Sequence, residues 1–213
     1  MDAHLLDPIA KLLREFADIP VDEIADLLAP AVMRSFRKGQ HFLSAGDPAD
    51  AVGFVVEGLF RARCDTPDGH LYIRNFCSSG YFIGAFASAI RGAPSDVSIE
   101  AIEPSTVLAL SYTRLREFFG RGAVWQEFGR KLAEWHYIER EIKEYRLLAC
   151  TAEERYEAFV KENPHVLGRV SQVDIAAYIG VAPESLNRLL KRRFASPASR
   201  SPGRTPAGRA RRP

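Results

Sequence analysis

Little in this 213-residue sequence invites metal, redox or membrane chemistry. Its three cysteines, Cys64, Cys77 and Cys150, are far apart and form no C-x-x-C. That spacing suggests neither a zinc site nor an iron–sulfur cluster. The five histidines, His4, His41, His70, His136 and His165, fall at no ligand spacing either. No apolar run approaches the roughly 20 residues of a membrane span. Isolated cysteines without a signal-peptide pattern lead us to expect a chain of the reducing cytoplasm, with no cofactor, metal or membrane partner. Paired carboxylates, a Ser/His/Asp set and phosphate-loop glycines are missing too, so an enzyme is not expected. Acids are also absent from one end: residues 191–213 contain no Asp or Glu.

That end holds Lys191, Arg192, Arg193, Arg200, Arg204, Arg209, Arg211 and Arg212, a charge of +8. The whole chain is only +2, so +2 less +8 leaves −6 on residues 1–190. A mildly acidic body with a basic end favours a polyanionic partner. With 46% hydrophobic and 26% charged residues, the body can build a core. The end beyond residue 194 is different material. Pro197, Pro202, Pro206 and Pro213 alternate there with Ser, Gly, Ala and Arg. That composition predicts a disordered tail over 195–213. Its arginines either add non-specific phosphate attraction or are an incidental extension.

Just before the tail, Arg169 to Phe194 reads as two short helices and a tight turn. Ser171 is a good N-cap, and Asp174 places an acid in the first turn. Ile175, Ala176 and Ile179 recur at helical spacing. Gly180 sits where a helix stops in a left-handed residue, and Pro183 where the next one starts. Leu186, Leu189 and Leu190 make the second helix's apolar face, while Asn187, Arg188, Lys191 and Arg192 lie largely opposite. Such a helix–turn–helix suits the DNA major groove. A helical hairpin with a solvated basic face is the plainer alternative.

The rest of the chain falls into three patterns. Residues 1 to about 30 predict two packing helices, one with Ile9, Leu12, Leu13 and Phe16 on a face, the other with Ile24, Leu27 and Leu28, broken near Pro20. From Ala31 to about Leu110, short strands alternate with turns, which indicates an antiparallel barrel or jelly roll. Residues 122 to about 150 predict one long helix. Its seam is Phe128, Leu132, Trp135, Ile138, Ile142, Tyr145 and Ala149, spaced on average about 3.5 residues apart. Cys150 to Glu154 is expected to be a hinge, with Thr151 and Glu154 forming a capping box. A helix from Ala152 to about Glu162 follows, with Tyr156, Phe159 and Val160 as core, ended by Asn163-Pro164.

Lys38-Gly39, Gly46, Val55-x-x-Gly58 and Gly80-Tyr81-Phe82-Ile83-Gly84 fall in the order found in cyclic-nucleotide-binding β-rolls. With the long helix and the helix–turn–helix behind them, the chain resembles a Crp/Fnr-type transcription regulator from about Ala31 to Phe194. The resemblance implies an α+β chain with a sensor at 1–120, a dimerisation helix at 121–150 and a DNA-binding domain at 151–194. It implies a homodimer on double-stranded DNA, with RNA polymerase and a small-molecule effector as further partners. The seam from Phe128 to Tyr145 would then be the dimer interface; a helix packed only on its own β-roll is the alternative.

The resemblance also locates two sites. Nucleotide-binding members supply a Glu to the ribose 2′-OH and an Arg to the cyclic phosphate. Those positions here are Ala85 and Ser95, with Asp96 beside the latter. A buried phosphate without a cationic partner is costly. Cyclic AMP is therefore not expected in the usual pose, and the region of Phe82, Gly84, Ala85, Phe86, Ser95 and Asp96 would take another small ligand or none. Arg91 is nearby and could substitute as the cation, but beside Gly92 it reads as a solvated loop residue. In the second site, the family's R-E-T-x-x-R run corresponds to Pro183 through Arg188. Glu184 can accept from cytosine N4, Arg188 can pair with guanine or phosphate, and Ser185 suits phosphate. Pro183 cannot read a base, so the family's familiar target is not expected. Ser171 and Gln172 would hold the backbone. A ligand-binding or interaction module that uses its basic end for another anion remains the rival class.

Overall fold

A computed structural model describes residues 3–66 and 69–195. The arginine-rich end from residue 196, for which the composition predicts disorder, lies outside the described residues. Two compact units divide between Glu134 and Trp135. The first opens with helices α1 (Ala3–Arg14) and α2 (Val21–Leu28). Strands β1 (Val32–Phe36), β2 (His41–Leu43), β3 (Ala51–Glu57), β4 (Leu59–Asp65), β5 (Leu71–Ser78) and β6 (Phe82–Gly84) follow. Helix α3 (Phe86–Arg91), strands β7 (Ser98–Ala101) and β8 (Ser105–Ser111), and helix α4 (Tyr112–Phe119) complete the order up to α5 (Ala123–Ala149).

The strands form two antiparallel sheets, β1-β8-β3-β6 and β2-β7-β4-β5. Alternation along each strand decides what enters the core. On β4, Phe60 is buried in the core, with Ala62 and Cys64 packed against it, while Arg61 and Arg63 face the other way and meet Glu100 of β7. Val55, Ile99, Ala101 and Val107 are fully buried with Phe60. Phe36 packs edge-on to Phe42 and Phe60, with ring centroids 6.0 and 5.6 Å apart. Gly58 makes the β3–β4 hairpin at φ +100, and a Cβ there would lie 2.1 Å from Ser105 Oγ. No other residue type fits both that backbone conformation and that approach.

The two packing helices read from the sequence are α1 and α2, with Ile9, Leu12, Leu13, Ile24, Leu27 and Leu28 all buried; Phe16, expected on the first helix, is buried in the turn that follows it. Two helices inside or after the strand region are additions to the sequence reading. Helix α3 is a single short segment between strands, and α4 follows β8 directly, N-capped by Ser111, whose hydroxyl accepts from the Arg114 amide. The start of α5 closes this helical layer. Trp125 and Phe128 are essentially buried, with Trp125 4.9 Å from Phe118 and Phe128 5.8 Å from Phe16. The Trp125 indole N–H donates to the Glu23 carboxylate.

The second unit holds the rest of α5 and helices α6 (Ala152–Glu162), α7 (Gln172–Ile179) and α8 (Pro183–Ala195). Its core contains Phe159, Val166, Ala176, Ile179, Leu186 and Leu189. The buried Asn163 side-chain amide donates to the Phe159 carbonyl at the end of α6, which also accepts from the Asn163 backbone N–H.

Candidate functional site

Helices α7 and α8 are placed by local chemistry. The Ser171 hydroxyl accepts from the Asp174 amide at 3.1 Å and donates to its carboxylate at 2.7 Å. Asp174 in turn accepts from the Ser171 amide, completing a capping box and explaining why an acid is buried here. Gly180 ends α7 at φ +69, a left-handed residue. Pro183 starts α8, where a missing N–H costs little.

On α8, Glu184, Asn187, Arg188, Lys191 and Arg192 are exposed. At 100° per residue they span an arc of roughly 140°. Leu186 and Leu189 are buried on the opposite side. Ser185 is half-buried, and its hydroxyl accepts from the Arg188 guanidinium at 3.2 Å. Ser171 and Gln172 are exposed at the start of α7. Arg193 departs from its neighbours: it binds the Glu157 carboxylate at 2.6 Å, with the Tyr156 ring 5.8 Å from its guanidinium. One arginine of the basic end thus holds α8 to α6.

The junction around Cys150 carries contacts that sequence spacing does not reveal. The expected capping box is present, Thr151 with Glu154, and the Thr151 amide holds the Glu154 carboxyl below the usual glutamate range. Across the junction, the Arg155 guanidinium donates to the Cys150 and Ile179 carbonyls, both at 2.7 Å, and to Leu147 at 3.4 Å. Lys143 places its ammonium 4.0 Å from the Tyr178 ring centre. Arg146 grips Glu162 with two bonds of 2.7 and 2.6 Å, which raises the arginine further above its ordinary value. The segment expected to act as a hinge is therefore bridged from α5 to α6 and α7.

The α5 seam divides into two parts. Phe128 and Leu132 are buried by their own chain, so Phe128 is a core residue of the first unit. Trp135 is buried as well. Beyond it Ile142 is half-buried, while Ile138 is 42%, Tyr145 57% and Leu148 81% exposed. Of the predicted seam, Ile138 and Tyr145 are thus exposed, and Leu148, which lies outside that seam, is exposed as well.

The six effector-region residues differ in burial and in partners. Ala85 and Ser95 are buried, and the Ser95 hydroxyl is spent on Val97, donating to its carbonyl at 2.7 Å. Gly84 allows close approach, since a Cβ would lie 2.9 Å from Val52 Cγ1. Ile83 is in the β-roll core, whereas its neighbour Phe82 faces outward, edge-on to Phe54 at 6.0 Å. Phe82 therefore does not line the β-roll interior. Phe86 packs on Tyr112 at 6.4 Å. Asp96 is exposed and binds Arg91 at 2.5 Å. Among the described residues, no His, Cys, Asp and Glu cluster could hold a metal ion, and no helix is long and apolar enough to cross a membrane.

Comparison with known proteins agrees with this architecture. Residues 33–121 match the family model of the cyclic nucleotide-binding domain. CLP of Xanthomonas campestris, a c-di-GMP-responsive global regulator, is 20% identical, with TM-score 0.67 over 83% of this chain and 92% of its own. FixK2 of Bradyrhizobium japonicum is 26% identical, with TM-score 0.65 over 78% of this chain and 85% of its own. A chain from Eubacterium rectale, provisionally assigned to the Crp/Fnr family, is 15% identical, with TM-score 0.68 over 84% and 85%. No curated protein matches in sequence. The chain has the fold of the Crp/Fnr-type transcription regulators, and its residues 33–121 are similar to the cyclic nucleotide-binding domain.

Proposed function

We propose that the chain is a homodimeric, sequence-specific DNA-binding transcription regulator, and not an enzyme. The observation that carries this is the α8 face, where exposed Glu184, Asn187, Arg188, Lys191 and Arg192 stand opposite buried Leu186 and Leu189. A helix of this kind presents base-reading and phosphate-binding groups to a major groove. Arg188 and Glu184 read bases. Ser185, Lys191 and Arg192 meet phosphate, as do Ser171 and Gln172 at the start of α7. Asn187 sits on the same face, where an amide can pair with adenine.

The dimer forms through the exposed stripe of Ile138, Tyr145 and Leu148, which a second copy of α5 covers. Two reading helices about a two-fold axis then engage half-sites roughly 34–36 Å apart. The first unit is the sensor. Its effector is not cyclic AMP in the usual pose, because Ala85 and Ser95 offer no anchors for ribose and phosphate. CLP, which shares the fold, responds to c-di-GMP, so this architecture accommodates more than one effector chemistry.

Selection of bound fragments from genomic DNA by the purified protein tests the reading. A recurrent two-fold motif, retained at moderate salt, is expected. Binding that shows no preference and vanishes with salt would assign the basic face to general polyanion attraction.

A further inference from the structure

We propose that Arg155 is the positioning residue that fixes the angle between the long helix and the reading helix. It does so by tying the carbonyl ends of α5 and α7 with one guanidinium. The proposal rests on the DNA-reading function above.

Arg155 lies in the first turn of α6, where the helix dipole disfavours a cation. Its side chain instead reaches the ends of two other helices. The Leu147 and Cys150 carbonyls close α5, and the Ile179 carbonyl closes α7. Terminal carbonyls lack intrahelical donors and carry the negative end of the dipole. Arginine answers both needs, since its planar fork sends N–H groups in fixed directions. Gly180 brings the two ends close, as a Cβ there would lie 2.9 Å from Leu147 Cδ2.

The neighbouring ties do less. Lys143 over Tyr178 is a non-directional contact between α5 and α7. Arg146 with Glu162 joins α5 to the far end of α6. Only the Arg155 guanidinium, among these three, contacts both helix ends that flank the junction. Because α8 follows α7 after a tight turn, an angle fixed there is handed to the reading face.

The test uses the full chain on duplexes carrying one half-site, or two half-sites at the selected spacing and at spacings changed by one to three base pairs. A rigid bivalent binder gains on the order of 100-fold at the matching spacing and loses it when the geometry forbids both contacts. Arg155→Gln should bind a single half-site as the wild type does, while its preference among spacings falls to within about threefold. Arg155→Lys, which keeps the charge without the fork, should fall between. Glu162→Gln should lower the melting temperature and leave spacing preference intact. Amide hydrogen exchange provides a readout independent of DNA: Arg155→Gln should exchange faster at 147–152 and 179–182 and keep wild-type protection inside α6 and α8.

Unchanged spacing preference and exchange in Arg155→Gln would overturn the proposal. So would equal loss of half-site binding and spacing preference, which marks a purely structural arginine, or a Glu162→Gln variant that relaxes spacing to the same extent. If the wild type shows no spacing preference while the exchange signature appears, the clamp stands and the DNA-reading function fails.

Discussion

Arg91, the last residue of α3, places its guanidinium 2.5 Å from the carboxylate of Asp96. The pair neutralises a nearby cation that could replace the missing phosphate anchor. It is also exposed, so it sits where an anion would be well hydrated. Titration calorimetry with cyclic AMP should show no specific binding at micromolar ligand. One site per subunit would mean that anchors other than Ala85 and Ser95 hold the nucleotide.

Position along α5 should decide what a substitution does. Ile138→Lys with Tyr145→Lys puts charge into the exposed stripe, and sedimentation should report monomers with intact helix content. Phe128→Ala acts differently, because Phe128 packs on Phe16 and Trp125 in its own chain. It should cost about 3–5 kcal/mol of stability without a specific effect on assembly. An unchanged dimer in the double lysine variant would rule out this interface.

Sequence preference should follow Arg188 and not the tail. A base contact carries about 1–3 kcal/mol, so Arg188→Ala should weaken the selected site roughly 5- to 150-fold. Removing residues 196–213 deletes Arg200, Arg204, Arg209, Arg211 and Arg212. All sequences should then bind more weakly by a similar factor, with a shallower salt dependence. Loss of preference on tail deletion, with preference kept in Arg188→Ala, would place the reader elsewhere.

Acid should loosen the start of α6. The Thr151 amide and hydroxyl hold the Glu154 carboxyl below its ordinary range. The unfolded chain therefore takes up that proton at higher pH than the folded chain does. The stabilisation is fully present above the ordinary glutamate range and fades as pH falls through the lowered value. Glu154→Gln should flatten the acid side of a stability–pH curve. Thr151→Ala should cost about 1 kcal/mol at neutral pH.

What could be read in advance was local. Ser171 with Asp174, Thr151 with Glu154, Gly180 and Pro183 mark helix ends through contacts within three or four residues, and all four stand where expected. The β-roll was legible because its turn glycines punctuate short strands. Helix α3 was missed because six residues leave no room for a period. Helix α4 did carry a signal, with Ser111 as cap and Tyr112, Leu115 and Phe118 in step. Its eight residues are short beside the 27-residue pattern of α5 that follows. Phe128 and Ile138 share one seam in the sequence, yet one is 1% and the other 42% exposed. Periodicity shows that a face is apolar, not what covers it. Arg193 looks like Arg192, and only the turn of the helix sends it to Glu157.

The Arg155 contacts have a bearing on how such a joint can change over evolution. Its three acceptors are backbone carbonyls, supplied by Leu147, Cys150 and Ile179 whatever side chains stand there. Those three positions can drift without breaking the bonds, provided the helices still end in register. A comparison of many relatives would then show no correlated exchange between Arg155 and any partner. The joint would persist as geometry while remaining silent to any method that listens for side chains changing in pairs.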